Sequence, residues 1–242
     1  LAITTSGRLA AALISCGVLG TAAGCGGSTS IGGVGDLLGS PGLSGEEKIV
    51  AGLKQALEIG TERAVGRTSQ QDGFLRNPRI RIGLPDSLET MAAGLRGMGL
   101  GGKIDELEVA MNRAAEQASA EATEVFWQGI RQMSFADARA ILAGDDTAAT
   151  RYFERTTREP LRERFEPIVA ERMRGVGLVR LYSDLAARYA ALPFTTKPTL
   201  NLERYVTDGA LDGLFQVLGE EERRIREDPA ARTTALLKEV FK

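Results

Sequence analysis

Beyond Cys25 this chain has no cysteine, and it has no histidine at any position. Whatever it folds into must therefore stand on packing alone, because no disulfide can support it. With neither imidazole nor a spare thiol, a zinc centre of the usual kind has no ligands, and no metal is expected. The same gap removes the commonest general base near neutral pH, and with it Ser-His-Asp and Cys-His arrangements. No catalytic constellation and no cofactor is expected. Of the residues 43% are apolar and 26% charged, enough for a real core in one domain of about 200 residues. The formal net charge of −2 offers no basic footprint, so nucleic acid is not an expected partner.

From residue 44 onward the apolar residues recur at helical spacing. Ser44 with Glu47 reads as a capping box, ahead of a stripe through Ile49, Leu53, Ala56, Leu57, Ala64 and Val65. Asp72-Gly73 predicts a turn. Arg79 to Leu84 alternates with period two, as a short strand would, and Thr199 to Leu202 alternates again. The expectation is a two-stranded ribbon pairing 79–84 with 199–202. Pro85 opens a helix to about Gly97, and a long helical pattern from Lys103 to Gln132 breaks near Ser119. Ser134 with Asp137 caps a short helix to Leu142. Asp146 is expected to cap the next helix, in which Pro160 and Pro167 predict kinks. Further helices are predicted over 178–191, over 203–227, and from Pro229 to near Phe241. The fold class is all-α, a multi-helix bundle with that one β ribbon, forming a single domain over 44–242.

The front of the chain is different. Arg8, the apolar run Leu9–Leu19, and Thr21-Ala22-Ala23-Gly24-Cys25 read as an export signal of the bacterial lipoprotein kind over residues 1–25. The run of about 11 residues is too short to cross a bilayer, which needs ~20. Cleavage before Cys25 would make that thiol the new N-terminus and the site of lipid attachment. Leu13-Ile14-Ser15-Cys16 is a rival box, and ordinary cleavage near Ala23 would give a soluble periplasmic protein instead. Residues 26–43 are rich in glycine and serine and read as a flexible tether reaching ~20–25 Å. The expected address is the periplasm, with the domain held to the inner or outer membrane.

Four patterns carry candidate chemistry. Gly97-Met98-Gly99-Leu100-Gly101-Gly102-Lys103 spells a phosphate-binding pattern, but it follows a helix where such a loop needs a strand, so a helix-to-helix turn is expected. Arg151, Arg155, Arg158 and Arg162 share one helix face and form a candidate anion-binding row. Against that, Glu154 with Arg158 and Glu159 with Arg162 can pair along the helix. Asp208 and Asp212 stand one turn apart beside Gly209 and Gly213. They are candidate buried carboxylates for acid–base work, or else partners of arginine where another element packs closely. Asp145-Asp146 lacks the spaced oxygens of a calcium loop.

Seven peptides stand out together: Gln71-Asp72-Gly73-Phe74-Leu75, Asn112-Arg113-Ala114-Ala115-Glu116, Gln132-Met133-Ser134-Phe135, Ala149-Thr150-Arg151-Tyr152-Phe153, Tyr205-Val206-Thr207-Asp208, Ala210-Leu211-Asp212-Gly213-Leu214-Phe215 and Pro229-Ala230-Ala231-Arg232-Thr233-Thr234. With them the chain resembles a bacterial domain-of-unknown-function family, number four-one-nine-seven. They run in order over nearly all of 46–242. The resemblance implies an exported, mostly helical protein, often a lipoprotein, and it implies no activity and no functional residues. The sequence therefore leads to a non-enzymatic binding or scaffolding protein of the cell envelope. Its partners would be the membrane through a lipid anchor, and an envelope protein or small ligand. The alternatives are a carrier of an apolar or anionic small molecule and a carboxylate-based hydrolase.

Overall fold

Eight α-helices surround one core in the computed structural model, which describes residues 45–175, 177–193, 195, 200–231 and 238. They are α1 (Gly45–Ser69), α2 (Asp86–Gly97), α3 (Gly101–Ser119), α4 (Ala122–Gln132), α5 (Phe135–Ala143), α6 (Ala148–Gly175), α7 (Leu178–Ala190) and α8 (Leu202–Glu227). A 3₁₀ turn, Pro229–Ala231, follows α8. α3 and α8 form the centre. α3 packs on α1, α2, α6, α7 and α8, and α8 packs on α1, α3 and α6. Aromatic edges join the layers: Phe126 of α4 meets Phe153 of α6 at 5.5 Å and Phe215 of α8 at 6.0 Å, both edge to face. No described helix is long and apolar enough to cross a membrane.

Local signals account for most boundaries. Ser134 accepts from the Asp137 amide while Asp137 accepts from the Ser134 amide, a complete capping box that starts α5. Hydrogen bonding to the Ser134 hydroxyl and amide holds the Asp137 carboxyl below its ordinary range. Pro85 precedes α2 with an extended backbone, and Asn201 caps α8 by accepting from the Arg204 amide. The glycine run after Gly97 is the turn between α2 and α3, and a helix stands ahead of it.

Three expectations need correction. Residues 79–84 form no strand. Ile80 and Arg81 donate their amides back to the Asn77 carbonyl, and Ile82 is held by a side chain instead of a neighbouring strand. At the other end of the expected ribbon, Asn201 and Leu202 belong to the start of α8, and Thr199 lies outside the described residues. No strand occurs among the described residues. Asp146 does not cap α6: Glu222 of α8 reaches across and accepts from the amides of Ala149 and Thr150 at 2.9 and 2.8 Å. Pro160 and Pro167 both lie inside α6, which stays helical through them. Ile49, placed on the apolar stripe of α1, is exposed, while Leu53, Ala56, Leu57, Ala64 and Val65 are buried. Ser44, the leader, the tether and the expected helix beyond residue 231 lie outside the described residues, apart from Lys238.

Candidate functional site

The two candidate constellations meet. α6 and α8 pack so that the arginine row of one lies against the aspartates of the other. Arg162 grips Asp208 through two nitrogens, at 2.7 and 3.2 Å, and also holds Glu159 one turn back. Arg158 bonds Asp212 and, at 3.0 Å, Glu154. These partners, Glu159 first and then Asp208, hold the Arg162 guanidinium still more firmly protonated. Arg151 is paired with Asp145 at 2.9 Å. Arg155 has no carboxylate within pairing distance among the described residues, and lies 5.7 Å from the centre of the Tyr152 ring. The row is therefore largely satisfied from within.

Asp208 and Asp212 are not buried. The Asp212 side chain is 65% exposed and that of Asp208 35%. The reason is their place on α8. Tyr205, Asp208, Gly209, Asp212, Gly213 and Gln216 form one stripe, and it faces an open groove rather than the core. The low-dielectric pocket that acid–base work would need is missing at these two carboxylates.

The glycines of that stripe have a different use. A Cβ on Gly213 would stand 2.5 Å from Phe74 Cε1 and 3.1 Å from Ile80 Cβ, and one on Gly209 would stand 3.1 Å from Ile82 Cδ1. Their bare backbone lets the irregular segment 74–84 lie directly on α8. α3 holds the same segment from the other side. Asn112 accepts from the Ile82 amide at 2.9 Å and donates to the Ile82 carbonyl at 2.8 Å. Glu116, buried, accepts from the amides of Phe74 and Leu75, both at 3.2 Å, and from Arg113 at 2.7 Å. Arg113 also donates to Asp72 at 2.7 Å, where the chain turns through a positive φ of 67°. Two of the peptides that carry the family resemblance thus interlock here.

A third cluster lies farther along α8. Glu221, 1% exposed, accepts from Arg67 of α1 at 2.7 Å, and Glu220 pairs with Arg67 and Arg79. Arg226 holds Glu222 at 3.0 Å and donates to the Ile141 carbonyl of α5 at 2.9 Å. Asn112, Glu116, Tyr205 and Glu220 to Glu222 were not singled out in the sequence. The available signal was that Asn112 and Glu116 sit on the alanine-rich arc of α3, where a polar residue must find a buried partner.

Two recesses differ in kind. Beneath α1, α6 and α8 the apolar crevice lined by Leu53, Leu57, Phe153 and Leu218 holds about 20 Å³, room for one water. An open groove of about 560 Å³ lies where α6, α7 and the start of α8 meet, walled by Met173, Val179, Tyr182 and Leu200. Among the described residues no three acidic side chains gather as a metal would require. Cys25 lies outside the described residues.

Comparison with known proteins places one boundary around these features. The family described as "Protein of unknown function (DUF4197)" matches residues 44–242. No curated protein and no solved structure matches.

Proposed function

We propose, from the premise that this chain belongs to the DUF4197 family of proteins of unknown function, that it is an exported, lipid-tethered protein of the bacterial cell envelope which binds or scaffolds at its surface. The observation that carries this reading is the fate of its acids and bases. Asp208 and Asp212 stand against Arg162 and Arg158 on an open face, so the two carboxylates and half of the arginine row join α6 to α8. What is left to offer is surface. The leader and the glycine-rich tether supply the address, and a tether of that length holds a domain just off a bilayer.

The decisive experiment is intact mass spectrometry of the protein recovered from its own envelope, beside Cys25→Ser. The expected result is a mature chain beginning at Cys25 with added acyl mass, and a Cys25→Ser form that is unacylated and released to the soluble periplasm. An unprocessed chain in the cytosol would overturn the reading.

The carrier reading keeps one specific support, the groove at the α6–α7–α8 junction. Its volume lies within the ~300–1,000 Å³ of small-molecule sites, and its walls are largely apolar. A co-purifying small molecule in native mass spectra would favour it. The hydrolase reading has lost the burial on which it stood.

A further inference from the structure

We propose that the groove where α6, α7 and the start of α8 meet binds a small apolar amine, with its ammonium group on Glu203 and its aromatic or aliphatic body along Val179, Tyr182 and Leu200. The inference rests on the carrier reading of this groove and narrows it to one class of ligand. It needs neither export nor lipid.

The groove follows from how the chain turns. At Gly177 the backbone takes a positive φ of 69°, and there the chain leaves α6 and starts α7. α7 and α8 both pack on α3 and α6, and a space of about 560 Å³ opens between α7 and the start of α8. The Tyr182 hydroxyl, hydrogen-bonded to the Leu200 backbone, ties the two walls. Val179 on the α7 side is 41% exposed, while Tyr182 and Leu200 are half-buried. These walls therefore keep apolar surface that an apolar body would remove from water.

Charge decides which apolar body. Glu203 is the one charged side chain among the described residues that line the groove. It is half-buried, and its carboxylate has no hydrogen bond or ion pair among the described residues. Its neighbours are engaged elsewhere. Asn201 holds the Arg204 amide at 2.9 Å, and the Arg204 guanidinium lies 3.8 Å from Asp208. The grooves beside Asp212 and beside Glu220 differ, since among their described lining residues arginines and acids are equal in number. Here the balance is negative. A neutral apolar ligand would strip water from the Glu203 carboxylate and return no partner, and an anion would be repelled. An ammonium group pairs with it, and the more water the ligand's body excludes, the stronger that pairing becomes.

The test titrates the full chain with phenylbutylamine, phenylbutanol and phenylbutyrate, which share a body and differ in the head group. Methyl NMR follows Val179 and Leu200. The amine is expected to shift both methyl groups and to bind at least tenfold more tightly than the alcohol, with phenylbutyrate weakest. Glu203→Gln should bring the amine down to the level of the alcohol and leave alcohol binding unchanged. Should that variant not fold, the comparison of the three head groups carries the same test on the unaltered protein. Equal binding of all three, or a preference for the amine that survives Glu203→Gln, would overturn the proposal and leave the carrier reading standing. Unmoved Val179 and Leu200 methyl signals under about millimolar amine, alcohol and acid alike would overturn both.

Discussion

Gly213 and Gly209 sit one turn apart on α8, but their neighbours differ in how far they can give. At Gly213 an added methyl runs into the Phe74 ring, which is wholly buried, and into the Cβ of Ile80, which cannot move without its backbone. At Gly209 it meets the far end of the Ile82 side chain. Alanine also gains about 1 kcal/mol over glycine inside a helix. Gly213→Ala is therefore expected to destabilise by about 1–3 kcal/mol net, since overpacking outweighs the helical gain. Gly209→Ala should fall within about 1 kcal/mol of the parent. Urea midpoints of the two variants check this, and equal midpoints would mean that segment 74–84 does not lie on α8 as described. Residues of this kind were half legible. The sequence marked the two glycines as a place of close approach, and the alternation through Ile80 and Ile82 as a short strand. It did not reveal that these features are the two sides of one contact. Nor did it show that the partner of Ile82 is an asparagine side chain, because a hydrogen bond across 30 residues leaves no periodic trace.

Among the elements, α5 and α6 show why some helix starts can be read and others cannot. The box of Ser134 and Asp137 closes within four residues, so local sequence carries all of it. The start of α6 looked equally local, with Asp146 in place. Yet the oxygens that satisfy the amides of Ala149 and Thr150 come from Glu222, more than seventy residues away. That carboxylate also accepts from the Thr150 hydroxyl at 2.8 Å and is steadied by Arg226, which reaches the last turn of α5. Glu222→Ala would leave two buried amides without an acceptor. The expected loss is about 2–4 kcal/mol, combining a lost cap with the desolvation of orphaned donors. Glu222→Gln keeps an oxygen in place and should cost less than half as much. Chemical denaturation of the pair decides it: if both variants match the parent within about 0.5 kcal/mol, α6 takes its cap from elsewhere. The meeting of Arg158 and Arg162 with Asp212 and Asp208 follows the same logic. Each stripe is visible on its own helix, while their register depends on how α6 and α8 pack. Pairs this exposed contribute at most about 1 kcal/mol each, so they fix register more than they add stability.

At the scale of the whole molecule, α1 and α8 pack side by side although most of the domain lies between them in sequence. Arg67 and the buried Glu221 join them across 154 residues. α3 touches both and three other helices besides, so no group of neighbouring helices has a core of its own. Stripping α1 away would expose Leu53, Ala64 and Val65 and leave Glu221 without its Arg67 partner, which is costly for a buried carboxylate. Such an arrangement should lose its helices together. The sole tryptophan, Trp127, reports on α4 and its packing against α1 and α6, while far-UV ellipticity reports on every helix. The two signals are expected to change at the same urea concentration, as all-or-none unfolding requires. Reductant should shift neither, because both cysteines precede the domain. Ellipticity that survives after the Trp127 signal has gone would mean that part of the bundle stands without the α1–α8 closure. In that case the long-range pairing at Arg67 and Glu221 would be a late ornament of the fold and not the contact that completes it.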